Sequence, residues 1–266
     1  MSAGLTVTIL GSGTSTGVPV PACGCAVCTS ADPRNQRTRC SVLLSWGGRN
    51  VLVDTSTDLR QQALREGITR IDAVLYTHTH ADHVHGIDDL RPFNLATGEA
   101  IPIYGSAETL ALIRRNFGYI FDGELPPGYR PQLETRLADA PFELFGQTVE
   151  PISLRHGTGL SLGYRVGSFA YLADCNAIPE ASERRLRELE LLVIDGLRFR
   201  PHETHFNIPQ ALEVSARLGA RRTVLTHLSH EVDHGRHEPL LPHGTSLAYD
   251  GQHLHLQLDS ERRGAA

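Results

Sequence analysis

Long apolar stretches, runs of basic residues and low-complexity segments are all missing from this sequence of 266 residues. No apolar run approaches the length of a transmembrane helix, so we expect no membrane partner. The formal net charge is −5, which argues against nucleic-acid binding through a broad basic surface. The proportions of apolar and charged residues, 40% and 21%, are those of an ordinary globular protein.

Cysteine is scarce, and most of it is in one place. Only five cysteines occur, and three of them lie in ACGCAVC at residues 22–28. The first residues, MSAGLTVTILGSG, lack the basic segment and long apolar stretch of a signal peptide, so we expect a cytoplasmic protein. In that compartment clustered cysteines usually bind metal or carry out redox chemistry.

Short apolar runs bounded by Gly, Asp, Asn and Pro recur along the chain, with helical patterns between some of them. The runs predict strands at 6–10, 41–46, 50–54, 72–77, 101–104, 148–154, 162–166, 169–174, 191–195 and 222–227. Helical spacing of apolar residues predicts helices at 58–67, 107–117, 179–189 and 208–219. This mixture predicts a single α/β domain over residues 1–266, in which helices cover sheets.

The stretch 118–140 is the least regular part of the sequence, and its Pro-Pro-Gly predicts a loop with turns. A long irregular insertion in a compact domain is often a lid or a binding loop. A simple surface excursion is the alternative.

Histidine is abundant, with 14 residues, and its densest cluster follows a predicted strand. The strand at 72–77 runs directly into HTHADH at residues 78–83. Imidazole and carboxylate are ligands that zinc, manganese and iron accept. His78 and His80 can point the same way from an extended stretch, whereas we expect the adjacent Asp82 and His83 to diverge and serve a second ion. His85 falls outside the pattern.

Further ligands must come from elsewhere, because four side chains cannot fill two coordination spheres. His156, Asp174 and His227 each stand at the exit of a predicted strand. Each would be an ordinary turn residue on its own, but enzymes often position active groups at strand ends. The shared placement makes these three the candidates.

These motifs together resemble the metallo-β-lactamase superfamily of dinuclear hydrolases. The resemblance extends from ILGSGTSTG near the start to the C-terminal strand. It implies a four-layer αββα sandwich with two metals at one edge. It also implies that His78, His80 and His156 hold one metal, that Asp82, His83 and His227 hold the other, and that Asp174 bridges them.

The three clustered thiols need a fourth ligand. THLSH at 226–230 places His230 three residues after His227, so Cys23, Cys25, Cys28 and His230 make a Cys₃His set typical of a closed structural zinc site. Rival fourth ligands are His234, His237 and His243. Cys40 is a weaker rival and is expected to be a free core thiol. Three buried apolar thiols without a metal are the alternative, and Cys175 is expected to be a free core thiol.

CGCAVC combined with LTHLSH resembles the phosphoribosyl 1,2-cyclic phosphate phosphodiesterase group within the superfamily. The pyrroloquinoline-quinone biosynthesis B proteins share part of the pattern. By this resemblance His205, in RPHETHFNIPQAL at 200–212, lies near the scissile phosphate as a proton donor or phosphate ligand. A surface histidine is the alternative; His202 is a weaker candidate, and Arg198 and Arg200 are candidate phosphate contacts.

The function that this resemblance implies is hydrolysis of a small cyclic phosphate ester to a phosphomonoester. Attack by a hydroxide bridging two Mn²⁺ or Zn²⁺ ions is the expected mechanism, with Asp82 and His205 as catalytic residues and one further Zn²⁺ in the cysteine site. The substrate would be phosphoribosyl 1,2-cyclic phosphate or a 2′,3′-cyclic nucleotide, and the family suggests a homodimer.

Three alternatives remain at this point. The first is an RNA phosphodiesterase of the tRNA 3′-processing type, although the sequence contains no long Gly/Pro- and Lys-rich insertion for a tRNA-clamping arm. The second is a thioester or lactone hydrolase of the glyoxalase II type. The third is a non-catalytic protein that binds only the structural zinc, which the full set of ligand types opposes.

Overall fold

Two seven-stranded sheets form the centre of the molecule. The computed structural model describes residues 4–123 and 128–258. The first sheet has the order β14-β1-β2-β3-β4-β5-β6. Its strands are β1 (Gly4–Gly11), β2 (Ser41–Trp46), β3 (Arg49–Val53), β4 (Ala73–Leu75), β5 (Ile101–Gly105), β6 (Leu133–Leu137) and β14 (Gln252–Gln257).

The second sheet has the order β13-β12-β11-β10-β9-β8-β7. Its strands are β7 (Phe142–Leu144), β8 (Gln147–His156), β9 (Gly159–Val166), β10 (Phe169–Leu172), β11 (Leu191–Asp195), β12 (Arg222–Thr226) and β13 (Thr245–Leu247). In the first sheet the neighbouring strands from β14 to β3 are antiparallel, and those from β3 to β6 are parallel. In the second sheet the neighbouring strands from β7 to β10 are antiparallel, and those from β10 to β13 are parallel. The strands of the parallel parts leave the sheets at one edge of the molecule.

Helices cover the outer face of each sheet. They are α1 (Leu59–Arg65), α2 (Ala81–Val84), α3 (Arg91–Thr97), α4 (Ala107–Asn116), α5 (Gly118–Phe121), α6 (Glu180–Glu183), α7 (Ile208–Leu218) and α8 (His234–His237). Helix α7 shows the local rules: Asn207 forms a capping box with Gln210, and Gly219 ends the helix in a left-handed conformation. None of the helices in the described part of the chain has the length and apolarity needed to cross a bilayer.

Three apolar cores separate the layers. One lies between the sheets and includes Val7, Val51, Tyr164 and Val193, all fully buried. A second lies between the second sheet and α7, and a third between the first sheet and its helices. The layer order is therefore helix, sheet, sheet, helix, which confirms the predicted αββα sandwich.

Two sequence-based expectations about secondary structure are wrong. The helix predicted at 179–189 covers only Glu180–Glu183, because the chain then continues in i→i+3 turns that bury Leu186 and Leu189. The stretch 118–140 is not irregular throughout, since it contains α5 and the edge strand β6, which pairs with β5. Residues 124–127 of that stretch lie outside the described residues, and its role as a lid stays a prediction.

Candidate active site

The HTHADH motif connects β4 to α2 at the edge where the parallel strands end. His80 has extended backbone angles and caps α2, so Asp82 and His83 lie in the first turn of a helix. Their side chains converge, with Asp82 Oδ2 3.2 Å from His83 Nε2. The expectation that adjacent residues diverge is therefore wrong, because a helical turn lets both side chains reach the same point.

A first group of ligand atoms comes from His78, His80, His156 and Asp174. Asp174 Oδ2 lies 3.6 Å from His78 Nε2 and 3.8 Å from His156 Nε2. His156 Nε2 lies 3.4 Å from His80 Nδ1. Two nitrogen ligands of a tetrahedral zinc, each about 2.0–2.1 Å from the metal, are roughly 3.3–3.4 Å apart. The spacing fits a single cation between these atoms.

A second group uses the other oxygen of Asp174. Asp174 Oδ1 lies 3.3 Å from His227 Nε2 and 3.4 Å from His83 Nε2, and Asp82 Oδ2 lies 3.8 Å from His227 Nε2. One carboxylate thus offers one oxygen to each group, as a residue shared by two cations would.

Hydrogen bonds at Nδ1 of two imidazole rings determine which ring nitrogen faces the metal-ligand groups. His83 Nδ1 donates to Asp54 Oδ2 at 2.7 Å and His156 Nδ1 donates to the Thr204 carbonyl at 2.8 Å. Each ring thereby keeps its Nε2 lone pair for a cation. Five buried ligand atoms have no hydrogen-bond partner within the described residues: His78 Nε2, Asp82 Oδ2, His83 Nε2, Asp174 Oδ1 and His227 Nε2. The residues present therefore fit two divalent metals.

The charges of the site favour cations. Burial alone would raise the pKa of Asp174, but the surrounding His227 and His83 more than offset it and hold the pKa well below its ordinary value. Burial holds the pKa of His78 well below its ordinary value, which keeps the imidazole neutral. Burial lowers the pKa of His83, but the carboxylates of Asp174 and Asp54 more than offset it and hold the pKa well above its ordinary value. A cation that binds at His83 therefore displaces a proton, because neutral imidazole and ionised carboxylate are the forms that bind metal.

Asp54 is a functional candidate that the sequence analysis missed. It follows β3 and is fully buried. Besides the hydrogen bond from His83, it accepts hydrogen bonds from the amide and hydroxyl of Thr77, each at 2.8 Å. The available signal was the aspartate that ends NVLVD. Asp54, Asp174 and His227 all have positive φ angles of 51–62°, and such strained residues concentrate at functional sites.

Asp195 was missed for the same reason, at the end of LLVID. Its Oδ2 lies 2.7 Å from Nδ1 of His205 and also accepts a hydrogen bond from the Cys175 amide at 3.0 Å. The His205 ring stacks on that of His227, with 4.7 Å between ring centroids and 13° between planes. The structure thus places His205 beside the second ligand group and aims its other nitrogen away from Asp195.

The remaining charged and histidine candidates lie outside both ligand groups. Arg198 and Arg200 both bind the carboxylate of Glu231, at 3.1 and 2.7 Å, and neither lines the cleft into which both ligand groups open. Their suggested role as phosphate contacts stays a prediction. His202 is exposed and bonds locally to Thr204, and the His85 ring packs against Phe117.

The clustered cysteines surround one nitrogen of His230. The Sγ atoms of Cys23, Cys25 and Cys28 lie 3.3, 3.5 and 3.6 Å from His230 Nδ1. Sulfur and nitrogen ligands of a tetrahedral zinc are roughly 3.5–3.6 Å apart, so this set fits a zinc ion. The backbone amide of Cys28 lowers the pKa of the Cys25 thiol to about 6, which favours the thiolate that binds zinc.

The rival ligands lie apart from this set. His234, His237 and His243 are not among the residues whose ligand atoms converge there. Cys40 is buried with its sulfur 3.0 Å from the Tyr171 hydroxyl, and the buried Cys175 thiol faces the Leu172 carbonyl. The loop at 11–17 contacts the segment after β12, since its Thr14 amide donates to the carbonyl of Leu228, next to His227.

Both metal-ligand groups open into one cleft of about 1090 Å³ at the edge of the sandwich. The model of the beta-lactamase superfamily domain matches residues 49–228, which include the HTHADH motif, Asp174 and His227. The chain belongs to the beta-lactamase superfamily. Its fold and its candidate metal groups make it a metal-dependent hydrolase.

A solved structure narrows the relationship. The crystal structure described as a new diphosphatase from the PhnP family is 42% identical, has a TM-score of 0.91, and is matched over 97% of this chain and 99% of that one. The chain therefore belongs to the PhnP family within the superfamily, which confirms the resemblance found in CGCAVC and LTHLSH.

Two other relatives are similar over less length or at lower identity. An octanoyltransferase of Porphyromonas gingivalis is 41% identical over 248 residues, which are 91% of this chain and 50% of that protein. The chain thus spans about half the length of this relative. Zn²⁺-bound PqqB from Methylobacterium extorquens shares 22% identity with a TM-score of 0.77, over 94% of this chain and 99% of that one, and so shares the fold.

Proposed function

We propose that the protein is a metal-dependent phosphodiesterase that hydrolyses a small cyclic phosphate ester to a phosphomonoester. The substrate type is a phosphoribosyl 1,2-cyclic phosphate or a 2′,3′-cyclic nucleotide. The observation that carries the proposal is the shared carboxylate of Asp174, which offers one oxygen to each of two ligand groups. Two cations held there would supply Lewis-acid stabilisation of the phosphoryl oxygens and an activated water.

The chain's own residues have distinct parts in this proposal. His78, His80 and His156 would hold the first cation, and Asp82, His83 and His227 the second, with Asp174 between them. Asp54 and the Thr204 carbonyl hold two of these rings in the orientation that ligation needs. This second layer of hydrogen bonds fixes the separation of the two groups before substrate arrives.

His205 is proposed as the residue that meets the substrate's reacting phosphate. Its Nδ1 is engaged by Asp195, so Nε2 is the nitrogen available to the cleft that His205 lines. From there it can bind a phosphoryl oxygen or transfer a proton to the leaving oxygen. The similarity to a PhnP-family protein described as a diphosphatase supports chemistry at phosphorus.

The test is hydrolysis of a 2′,3′-cyclic nucleotide and of ribose 1,2-cyclic phosphate by protein loaded with Mn²⁺ or Zn²⁺ and checked for metal content. Asp82→Ala should abolish turnover. Asp88→Ala, which removes an exposed carboxylate outside the cleft, should leave turnover unchanged. Absence of turnover with both esters, in protein confirmed to hold its metals, would sink the proposal.

Two alternatives belong in the same assay. A short RNA with a 3′ extension tests the tRNA-processing type, and an acyl thioester tests hydrolysis of the glyoxalase II type. There is a specific reason to include the thioester, because a relative at 41% identity is named an octanoyltransferase. Inorganic diphosphate is a further arm. Turnover confined to one of these substrates would replace the cyclic-ester proposal.

A further inference from the structure

The cleft continues well beyond the two ligand groups. On the first sheet, β5 and β6 are the next two strands after β4, which leads into the HTHADH loop. Neighbouring strands are about 4.8 Å apart, so Leu137 at the end of β6 lies roughly 10 Å to the side of the β4 strand. On the second sheet the cleft follows β8 back to Pro151 and reaches Arg185. Pockets of roughly 300–1,000 Å³ bury most of a drug-sized ligand, so about 1090 Å³ exceeds what a cyclic phosphate alone requires.

Four leucines line this cleft: Leu112, Leu137, Leu160 and Leu162, which we name the leucine subsite. The Leu162 amide donates to the Thr77 carbonyl, next to His78, so the β9 side of the subsite adjoins the first ligand group. Leu137 is 49% exposed and Leu160 is 57% exposed. Leu160 and Leu162 lie on the same face of β9 as Tyr164, a member of the core between the sheets. The apolar inner face of the second sheet therefore continues into the cleft. A single exposed leucine is unremarkable, but several lining one concave surface indicate a ligand-binding site.

The charges in the far part do not suit a second phosphate group. Among the described residues that line the cleft, Arg185 is the only arginine, and none is a lysine. Its guanidinium is bound to the carboxylate of Glu150 at 3.1 Å and to the Pro151 carbonyl at 3.1 Å. The carboxylates of Glu108 and Asp139 line the same cleft and are exposed. An uncharged group with hydrogen-bond donors is the better match for these surroundings.

We propose that the leucine subsite binds the planar base of a nucleotide ester whose phosphate lies at the two metal-ligand groups. The inference rests on the proposed function and narrows its substrate to a nucleoside phosphodiester. A base is a flat apolar surface that gains from contact with leucine side chains. Its exocyclic amino groups can donate hydrogen bonds to the Glu108 and Asp139 carboxylates. Leu137 and Leu160 are the residues expected to set specificity.

The experiment compares two esters that differ only in the base: adenosine 2′,3′-cyclic phosphate and methyl riboside 2′,3′-cyclic phosphate. Wild-type protein should prefer the adenosine ester by about tenfold or more in kcat/KM, since a hydrophobic contact discriminates roughly 10- to 200-fold. The double variant Leu137→Asn/Leu160→Asn should lose this preference through KM while retaining turnover of the methyl riboside. Leu64→Asn, at a leucine that is 66% exposed on α1 and outside the cleft, is the matched control.

The outcomes separate this inference from the proposed function. Equal kcat/KM for both esters in wild-type protein, or an equal loss for both in the double variant, would overturn the subsite. The subsite would also be overturned if wild-type protein preferred a ribose ester that carries a 5-phosphate and if Arg185→Gln abolished that preference. If no phosphodiester is hydrolysed, the proposed function fails. In that case the subsite is tested by calorimetry, which compares the affinities of adenosine 3′-phosphate and methyl riboside 3′-phosphate. Both affinities are measured in wild-type and double-variant protein.

Discussion

Oδ2 of Asp195 lies 2.7 Å from Nδ1 of His205, and the Asp195 side chain is fully buried. Burial holds the pKa of Asp195 well above its ordinary value. Because the hydrogen bond orients the ring and selects its tautomer, Asp195 is a positioning residue for His205.

We expect Asp195→Asn to lower kcat for the cyclic ester by about 10²-fold with little change in KM, since the interaction lost is one made in the transition state. Steady-state kinetics and metal analysis of the same sample provide the check. The metal content should stay at the wild-type value. Loss of metal together with activity would show instead that Asp195 supports the ligand groups.

For Asp54, unlike Asp195, we expect a change in metal affinity, because Asp54 accepts a hydrogen bond from His83, a proposed metal ligand. Asp54→Asn should weaken the second cation's binding by roughly 10- to 100-fold, the usual cost of losing a partner of a ligating histidine. Titration of the metal-free protein with Zn²⁺ against a chelating dye would measure this change. Unchanged affinity at both sites would contradict the assignment of His83 as a ligand oriented by Asp54.

Arg37 links the two halves of the cysteine site. Its backbone pairs with Val18, just before the cysteine loop. Its buried guanidinium donates to the carbonyls of Ser229 and Val232, on either side of His230, at 3.0 and 2.7 Å. Removing it leaves these carbonyls unsatisfied, at about 1–3 kcal/mol each.

We therefore expect Arg37→Met to lower the free energy of unfolding by about 2–5 kcal/mol and to release zinc from the cysteine site at lower chelator concentration. Urea denaturation and zinc release are the measurements. Arg34→Met is the control, because its ion pair with Asp32 is half exposed and such pairs contribute about 0–1 kcal/mol. Equal losses in the two variants would refute the special role of Arg37.

His234 predicts a dependence of stability on pH. It is 2% exposed, and burial lowers its pKa to about 4. The unfolded chain has a histidine pKa of about 6.5, so it binds a proton between these values that the native protein does not. The contribution of His234 to the free energy of unfolding is then fully present above about pH 6.5 and is lost as the pH drops toward 4. The charged and titratable groups around His234 are Arg34, Arg37, Asp32, Asp233, Glu238 and Tyr249.

At pH 5 the loss from this one group is about 2 kcal/mol. Urea denaturation of wild-type protein and of His234→Gln at pH 7 and pH 5 isolates it. The difference between the two pH values should be about 2 kcal/mol smaller in the variant. An identical difference in both proteins would show that His234 is protonated in the native state.

The sequence predicted the parts of the site that are dense in unusual residues. HTHADH and the cysteine cluster are recognisable because no ordinary turn needs so many ligand side chains. Asp54 and Asp195 could not be separated from turn residues, since a lone aspartate after a strand is common and only the fold brings each to a histidine. The strands β6, β7, β13 and β14 were missed because they are short or carry charged and polar residues at sheet edges.

The pairing of β14 with β1 has a consequence for synthesis on the ribosome. Gly4 pairs with Gln257, so the first and last described strands complete one sheet together. Until β14 emerges, the first strand presents one uncovered row of backbone amides and carbonyls. The first half of the molecule therefore cannot reach its final form while the second half is being made, and this late closure is the kind of distant contact that slows folding.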